Sequence, residues 1–135
     1  MANSDNVIRA GLTPKLRDIP NLVDTLTYTA GPASHHAVKP LPFSATSASL
    51  LYDPPISEFS VVSVALTAGR TETHRPIAGP SIAIVTGGKG NLRWAGGSLD
   101  IAQGEVIFVG ADTKIDIVAA GDEEGLNCYR ALVEP

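Results

Sequence analysis

Gly104-Glu-Val-Ile-Phe-Val-Gly-Ala-Asp-Thr-Lys-Ile-Asp-Ile-Val118 is the stretch that decides the fold class. Two short runs rich in β-branched residues, Val106–Val109 and Ile115–Val118, flank a turn of small and polar residues. Both are too short for a stable helix. Lys114-Ile-Asp-Ile117 alternates polar and apolar, the period of a strand with one face in water. Working outward, similar apolar runs appear at Val61–Leu66, Ile82–Val85 and Leu126–Val133. Gly79-Pro80, Gly87-Gly88-Lys89-Gly90, Gly96-Gly97 and Gly121 separate them and read as turns. Short strands at this spacing predict an all-β sandwich, barrel or jelly roll over residues 58–135.

Upstream the texture changes twice. Residues 29–57 carry Gly31, Pro32, Pro40, Pro42, Pro54 and Pro55 in a Ser/Ala/Thr-rich setting, and read as an irregular connection. Residues 1–28 begin with a polar-apolar stretch that Gly11 and Pro14 break. Leu16, Ile19, Leu22, Val23 and Leu26 then recur at helical spacing and predict a short amphipathic helix over about 19–27. Asp18 suits the N-cap, and Pro20 is tolerated in the first turn because its missing N–H has no helical partner there.

Composition narrows the function classes. The 135 residues suit one domain with little room for a second, and 44% hydrophobic residues allow a real core. A formal net charge of −4, with basic residues scattered, argues against nucleic acid or an anionic membrane as partner. Cys128 stands alone, so neither an internal disulfide nor a cysteine-based zinc site is available. No apolar run is long enough to span a bilayer, and Met1–Ala10 lacks the apolar centre of a signal peptide. The expectation is a soluble, cytoplasmic protein.

Asn3-Ser-Asp-Asn-Val-Ile-Arg-Ala-Gly-Leu-Thr-Pro-Lys15 resembles a signature of the type I mannose-6-phosphate isomerases. The resemblance continues through Asp18, Leu22-Val23 and Leu26-Thr-Tyr28, resumes at Tyr52-Asp-Pro-Pro55 with Phe59, and returns at Gly104–Ala111. It covers most of the chain apart from the variable 29–50 connection. It implies a mainly β protein, a cupin-type jelly roll with one short N-terminal helix. Residues 1–28 would be the tail of a catalytic cupin domain, 29–57 the connection, and 58–135 the C-terminal jelly roll. The family interconverts mannose 6-phosphate and fructose 6-phosphate, which feeds GDP-mannose synthesis. Its zinc is held by a Gln, two His and a Glu, all upstream of the matching motif and so absent here. The resemblance therefore implies no cofactor bound by this chain, zinc belonging to the full-length family, and no turnover by the chain alone.

What the resemblance carries over is a short set of residues. Arg9 matches an active-site arginine able to steady an enediolate, since fixed cations stabilise charge that develops in the transition state. Asp5 matches an aspartate that would assist ring opening or proton transfer. If extended, the two share a face and stand roughly 13 Å apart, far enough to flank one substrate rather than pair. Lys15 would aid phosphate binding. The implied partners are an N-terminal isomerase half, or a second copy of the chain covering the same surface, and a sugar phosphate.

Other candidates read as structural. Glu72 and His74 in Thr71-Glu-Thr-His-Arg75 share a face of a regular strand, but two ligands make a weak metal site, and a solvated or structural pair is expected. His35-His36 falls in the Pro/Ser-rich connection and reads as a surface loop. Trp94 reads as packing at a hairpin end, and Gly87–Gly90 as a hairpin turn, since no helix pattern follows to make a phosphate loop. The alternative from another class is a non-catalytic jelly roll that binds sugar or glycan through Trp94, Arg93, Arg9 and Lys15, or a plain interaction domain.

Overall fold

The computed structural model describes residues 7–9, 11, 13–121 and 124–133, and the chain divides into two units, Met1–Ala37 and Val38–Pro135. In the first unit, helix α1 spans Ile19–Thr25. Asp18 caps it, its Oδ1 accepting from the Asn21 N–H at 3.3 Å, and Pro20 lies in the first turn. The helix stops when Leu26 turns extended, two residues short of the sequence expectation for its end. Ile19, Val23 and Leu26 are all exposed, so the apolar stripe is present but unburied among the described residues. A 3-10 turn follows at Ala33–His35.

The second unit is an antiparallel jelly roll of nine strands: β1 (Leu41–Pro42), β2 (Ser49–Tyr52), β3 (Ser60–Leu66), β4 (Thr71–His74), β5 (Ser81–Trp94), β6 (Gly97–Ala102), β7 (Val106–Val109), β8 (Ile115–Ala119) and β9 (Leu126–Leu132). The fold class is the one expected, mainly β with one short helix. Two strands, β1 and β2, arise inside the stretch expected to be irregular. The prolines of 29–57 hid them: Pro42 sits on the edge strand β1, where a missing N–H costs no ladder bond.

Strand β5 joins the two layers. Its first half pairs with β7 on one side and β9 on the other, and β9 continues the layer through β3, β2 and β1. Its second half pairs with β6 and β8, and β8 continues to β4. The register shifts between Val85 and Gly87, where the strand passes from one layer to the other. Gly87–Gly90 is therefore not the hairpin turn expected from the sequence but the bend within a 14-residue strand. The reason is steric. Gly88 has φ +75°, and a Cβ there would run into the carbonyl oxygen of Gly125, so only glycine allows the crossing. The hairpin expected at Gly96-Gly97 does form, between β5 and β6.

Alternation on each strand then defines the interior. Val62, Val64 and Leu66 of β3 point inward with Leu126, Cys128 and Leu132 of β9. Leu92, Ile101, Ile115 and Ile117 meet them from the other layer. Each such aliphatic side chain contributes about 1.5–3 kcal/mol by leaving water.

Candidate functional site

At the centre of this apolar interior lies a chain of polar side chains. Strand β4 alternates exposed and buried, so Glu72 and His74 both point inward, 1% and 0% exposed. Both are buried, which removes the solvated half of the sequence expectation and keeps the structural one. His74 Nε2 lies 2.9 Å from Ser49 Oγ of β2, and its Nδ1 lies 3.3 Å from Arg130 Nη1 of β9. Arg130 Nε donates to Ser81 Oγ of β5 at 2.9 Å. Glu72 accepts from Ser44 and from Thr46 Oγ1 at 2.6 Å, and the Ser49 hydroxyl also favours its charged form. The cluster thus ties β2, β5 and β9 of one layer to β4 of the other.

Electrostatics follows from this geometry. Burial, then the nearby Arg130 charge, pulls His74 down to about 4 against an opposing pull from Glu72, so the ring is neutral at physiological pH. Burial pushes the Glu72 carboxyl up, but the hydroxyls of Ser44, Thr46 and Ser49, with His74, outweigh it and leave it below its ordinary value. Burial draws Arg130 down to about 10, which keeps it charged at neutral pH. The edge of Phe43 packs against the His74 ring, 4.9 Å between centroids, and Arg75 sits over the Phe43 face at 5.2 Å.

This cluster does not suit a zinc ion. A structural site needs four N, S or O donors and a catalytic one three plus an open position. Here both ring nitrogens of His74 and the carboxylate of Glu72 are engaged by hydrogen bonds. Among the described residues no group of three or more His, Cys, Asp or Glu stands close enough to hold a metal. The arrangement holds two layers together; it has no open coordination position.

The residues expected to carry chemistry lie elsewhere. Arg9 is half-buried and Lys15 exposed, both in the first unit. Lys15 donates its backbone N–H to Thr13 Oγ1 at 3.2 Å. Asp5 lies outside the described residues. His35 and His36 sit at an exposed 3-10 turn. Trp94 lies across the Gly96-Gly97 turn, its ring atoms coming within 3.0 Å of where a Cβ on Gly96 would stand and 3.3 Å of where one on Gly97 would. Arg93 Nε donates to Asn91 Oδ1 at 3.0 Å on the neighbouring surface.

Sequence reasoning missed Ser44, Thr46, Ser49, Ser81 and Arg130. One signal was available for Arg130. In Leu126-Asn-Cys-Tyr-Arg-Ala-Leu132 it occupies an inward position of a period-2 pattern, where a charge requires partners.

Comparison with known proteins gives a consistent picture. The family description "Phosphomannose isomerase type I C-terminal" matches residues 49–98. The mannose-6-phosphate isomerase of Cryptococcus neoformans var. neoformans is 46% identical over 135 residues, covering 99% of this chain and 30% of that protein. That of Saccharomyces cerevisiae is 41% identical over 139 residues, covering 100% of this chain and 32% of that protein. The chain therefore spans about a third of the length of these relatives. The crystal structure of mannose 6-phosphate isomerase from Salmonella typhimurium, bound to fructose 6-phosphate and zinc, superposes with TM-score 0.76 at 29% identity, over 100% of this chain and 32% of that one. No helix among the described residues is long and apolar enough to cross a membrane.

Proposed function

Because the chain belongs to the type I mannose-6-phosphate isomerases and corresponds to their C-terminal portion, we propose that it is the non-metal-binding part of an enzyme interconverting mannose 6-phosphate and fructose 6-phosphate. The observation that carries this reading is alignment across nearly the whole chain at 46% identity to an isomerase of which it covers only 30%. Residues 1–28 end a catalytic cupin domain and the stretch after them connects it onward to the C-terminal jelly roll, whose strands β1 and β2 already lie within 29–57. The working environment is the cytoplasm, where sugar phosphates are made and used.

In this reading the chemistry enters through residues 1–28. An aldose–ketose isomerisation passes a proton between two carbons through an enediolate. Arg9 places a permanent cation beside the developing oxyanion, and Asp5 assists ring opening or proton transfer. Lys15 helps hold the phosphate as a point charge. A base, the metal ligands and the rest of the sugar pocket come from the preceding part of the enzyme, so the chain alone turns over no substrate. The jelly roll supplies a rigid support whose interior is closed by Glu72, His74 and Arg130.

The test is complementation by joining. The part of the Cryptococcus relative that precedes its match is fused to this complete chain and assayed for mannose 6-phosphate isomerisation with zinc. Turnover is expected, and Arg9→Ala in the fusion is expected to lower kcat by at least 100-fold. A fusion that folds and binds zinc but is inactive contradicts the reading.

A further inference from the structure

An antiparallel sheet with one face in water alternates apolar side chains inward with polar ones outward. Strands β5 and β9 keep aliphatic residues such as Val85, Leu126 and Leu132 inward, but depart from that pattern on the outer face. On the first half of β5 the inward residues are Ser81, Ala83 and Val85, while the outward ones are Ile82, Ile84 and Thr86. On β9 Leu126, Cys128, Arg130 and Leu132 point inward, while Asn127, Tyr129 and Ala131 point outward. The edge strand β7 adds Val106 and Phe108 on the same outer face. Pairing registers these into two rows: Phe108–Ile82–Ala131 and Val106–Ile84–Tyr129. Directly opposed side chains in adjacent strands stand about 5 Å apart, so the rows form one surface. Phe108 is 71% exposed, Val106 64%, Ile82 53%, Tyr129 48% and Ile84 43%. None of the six side chains is charged. Beside the first row a hollow of about 200 Å³, walled by Phe59, Pro80, Ile82, Phe108 and Val133, can receive an apolar knob.

We infer that this outer face of β7–β5–β9 is the docking surface for the preceding part of the isomerase, and that Ile82, Ile84, Phe108 and Tyr129 are its apolar anchors. The inference rests on the functional reading above and adds the surface to it. Two observations select this occupant over a second copy of the chain. The relatives that match carry about two thirds of their length outside the match, which provides a neighbouring domain on the same polypeptide. The patch is also small. Six side chains fall well short of the roughly 20–30 residues a side of a stable free-standing interface. A neighbour joined by the chain needs much less, because the linker holds it at a high effective concentration.

Hydroxyl-radical footprinting tests the face, using the complete chain alone and the fusion to the upstream part of the Cryptococcus relative. Phe108 and Tyr129 are expected to label readily in the chain alone and at least fivefold less in the fusion, with Trp94, off the two rows, as reference. Equal labelling of Phe108 and Tyr129 in both proteins overturns the assignment. Protection already present in the chain alone, together with elution as a dimer, also overturns it in favour of self-association. A paired measurement guards against a fusion whose upstream part misfolds. Phe108→Asp is expected to leave the melting temperature of the chain alone within a degree and to lower that of the fusion by several degrees; equal shifts contradict the proposal. Isomerase turnover of the fusion reads the functional assignment separately, so an inactive fusion with a protected face removes the activity while keeping the docking surface.

Discussion

Arg130 Nη1 stands 3.3 Å from His74 Nδ1, and this contact orders the protons of the whole buried cluster. A guanidinium has only donors, so Nδ1 must accept and carries no proton. The ring proton then sits on Nε2 and donates to Ser49 Oγ, 2.9 Å away. The Ser49 hydroxyl is thereby free to donate to Glu72, which also receives Ser44 and Thr46. The result is a directed path from a cation to a carboxylate through a neutral imidazole. Its ends balance in charge, which is what lets such groups lie in an apolar interior.

Stability is expected to fall with pH well before general acid unfolding. His74 has a folded value of about 4 against 6.5 for the free group, so the unfolded chain binds the proton more readily between those values. The contribution is fully present above about 6.5 and is lost as pH falls toward 4, to a limit of ~3 kcal/mol. Glu72 has a lowered value, so its contribution is present above the unfolded carboxylate range and is lost as pH falls through the folded value. Urea midpoints measured from pH 7.5 to 4 check this. A steady fall that His74→Gln flattens is expected, and a flat profile in the unaltered chain contradicts a His74 held neutral by burial.

Removing either charged end should move the His74 titration in opposite directions. Arg130 lowers the His74 value and Glu72 raises it. Arg130→Met is therefore expected to raise it and Glu72→Gln to lower it, read from the imidazole proton resonances against pH. Arg130→Met also orphans the acceptors on His74 and Ser81, at a cost of about 2–4 kcal/mol in denaturant unfolding. Shifts of the same sign in both variants contradict the described path.

The bend in β5 predicts unequal tolerance at adjacent glycines. Gly88 has φ +75° and a Cβ there meets the Gly125 carbonyl, while a Cβ at Gly87 meets the Asn127 side-chain amide at an ordinary 3.6 Å. Gly88→Ala is expected to cost at least about 2 kcal/mol from left-handed strain and displaced backbone. Gly87→Ala is expected to cost less than about 1 kcal/mol. Thermal unfolding of the two variants side by side gives the comparison.

The strands and their alternation were legible because the interior is aliphatic and the period is two. The reading of Glu72-Thr-His74 on one face held because β4 is regular. Three features were not legible. Gly87–Gly90 has the composition of a turn, and only the tertiary approach of Gly125 makes it a crossing strand. Ser49 and Ser81 look like surface serines, and become buried because β2 and β5 turn those positions toward His74 and Arg130. The apolar outer face of β5 and β9 is visible only when register shows which alternate residues point outward together.

Cys128 should be inert in the folded chain. It is 3% exposed on the inward side of β9, and burial lifts its thiol to about 11. The thiolate is the reactive form, so labelling by a thiol reagent at pH 8 is expected only at the rate of unfolding. Stoichiometric labelling within minutes under native conditions contradicts the packing of β9.

A portion of an isomerase without its metal ligands should by itself neither hold zinc nor turn over sugar phosphate. The measurement is zinc content by mass spectrometry on the purified chain after incubation with zinc and desalting, with a coupled assay of mannose 6-phosphate isomerisation on the same sample. The account predicts substoichiometric zinc and no turnover above the blank. One zinc per chain with measurable turnover contradicts it, and would mean that this portion carries a complete isomerase centre.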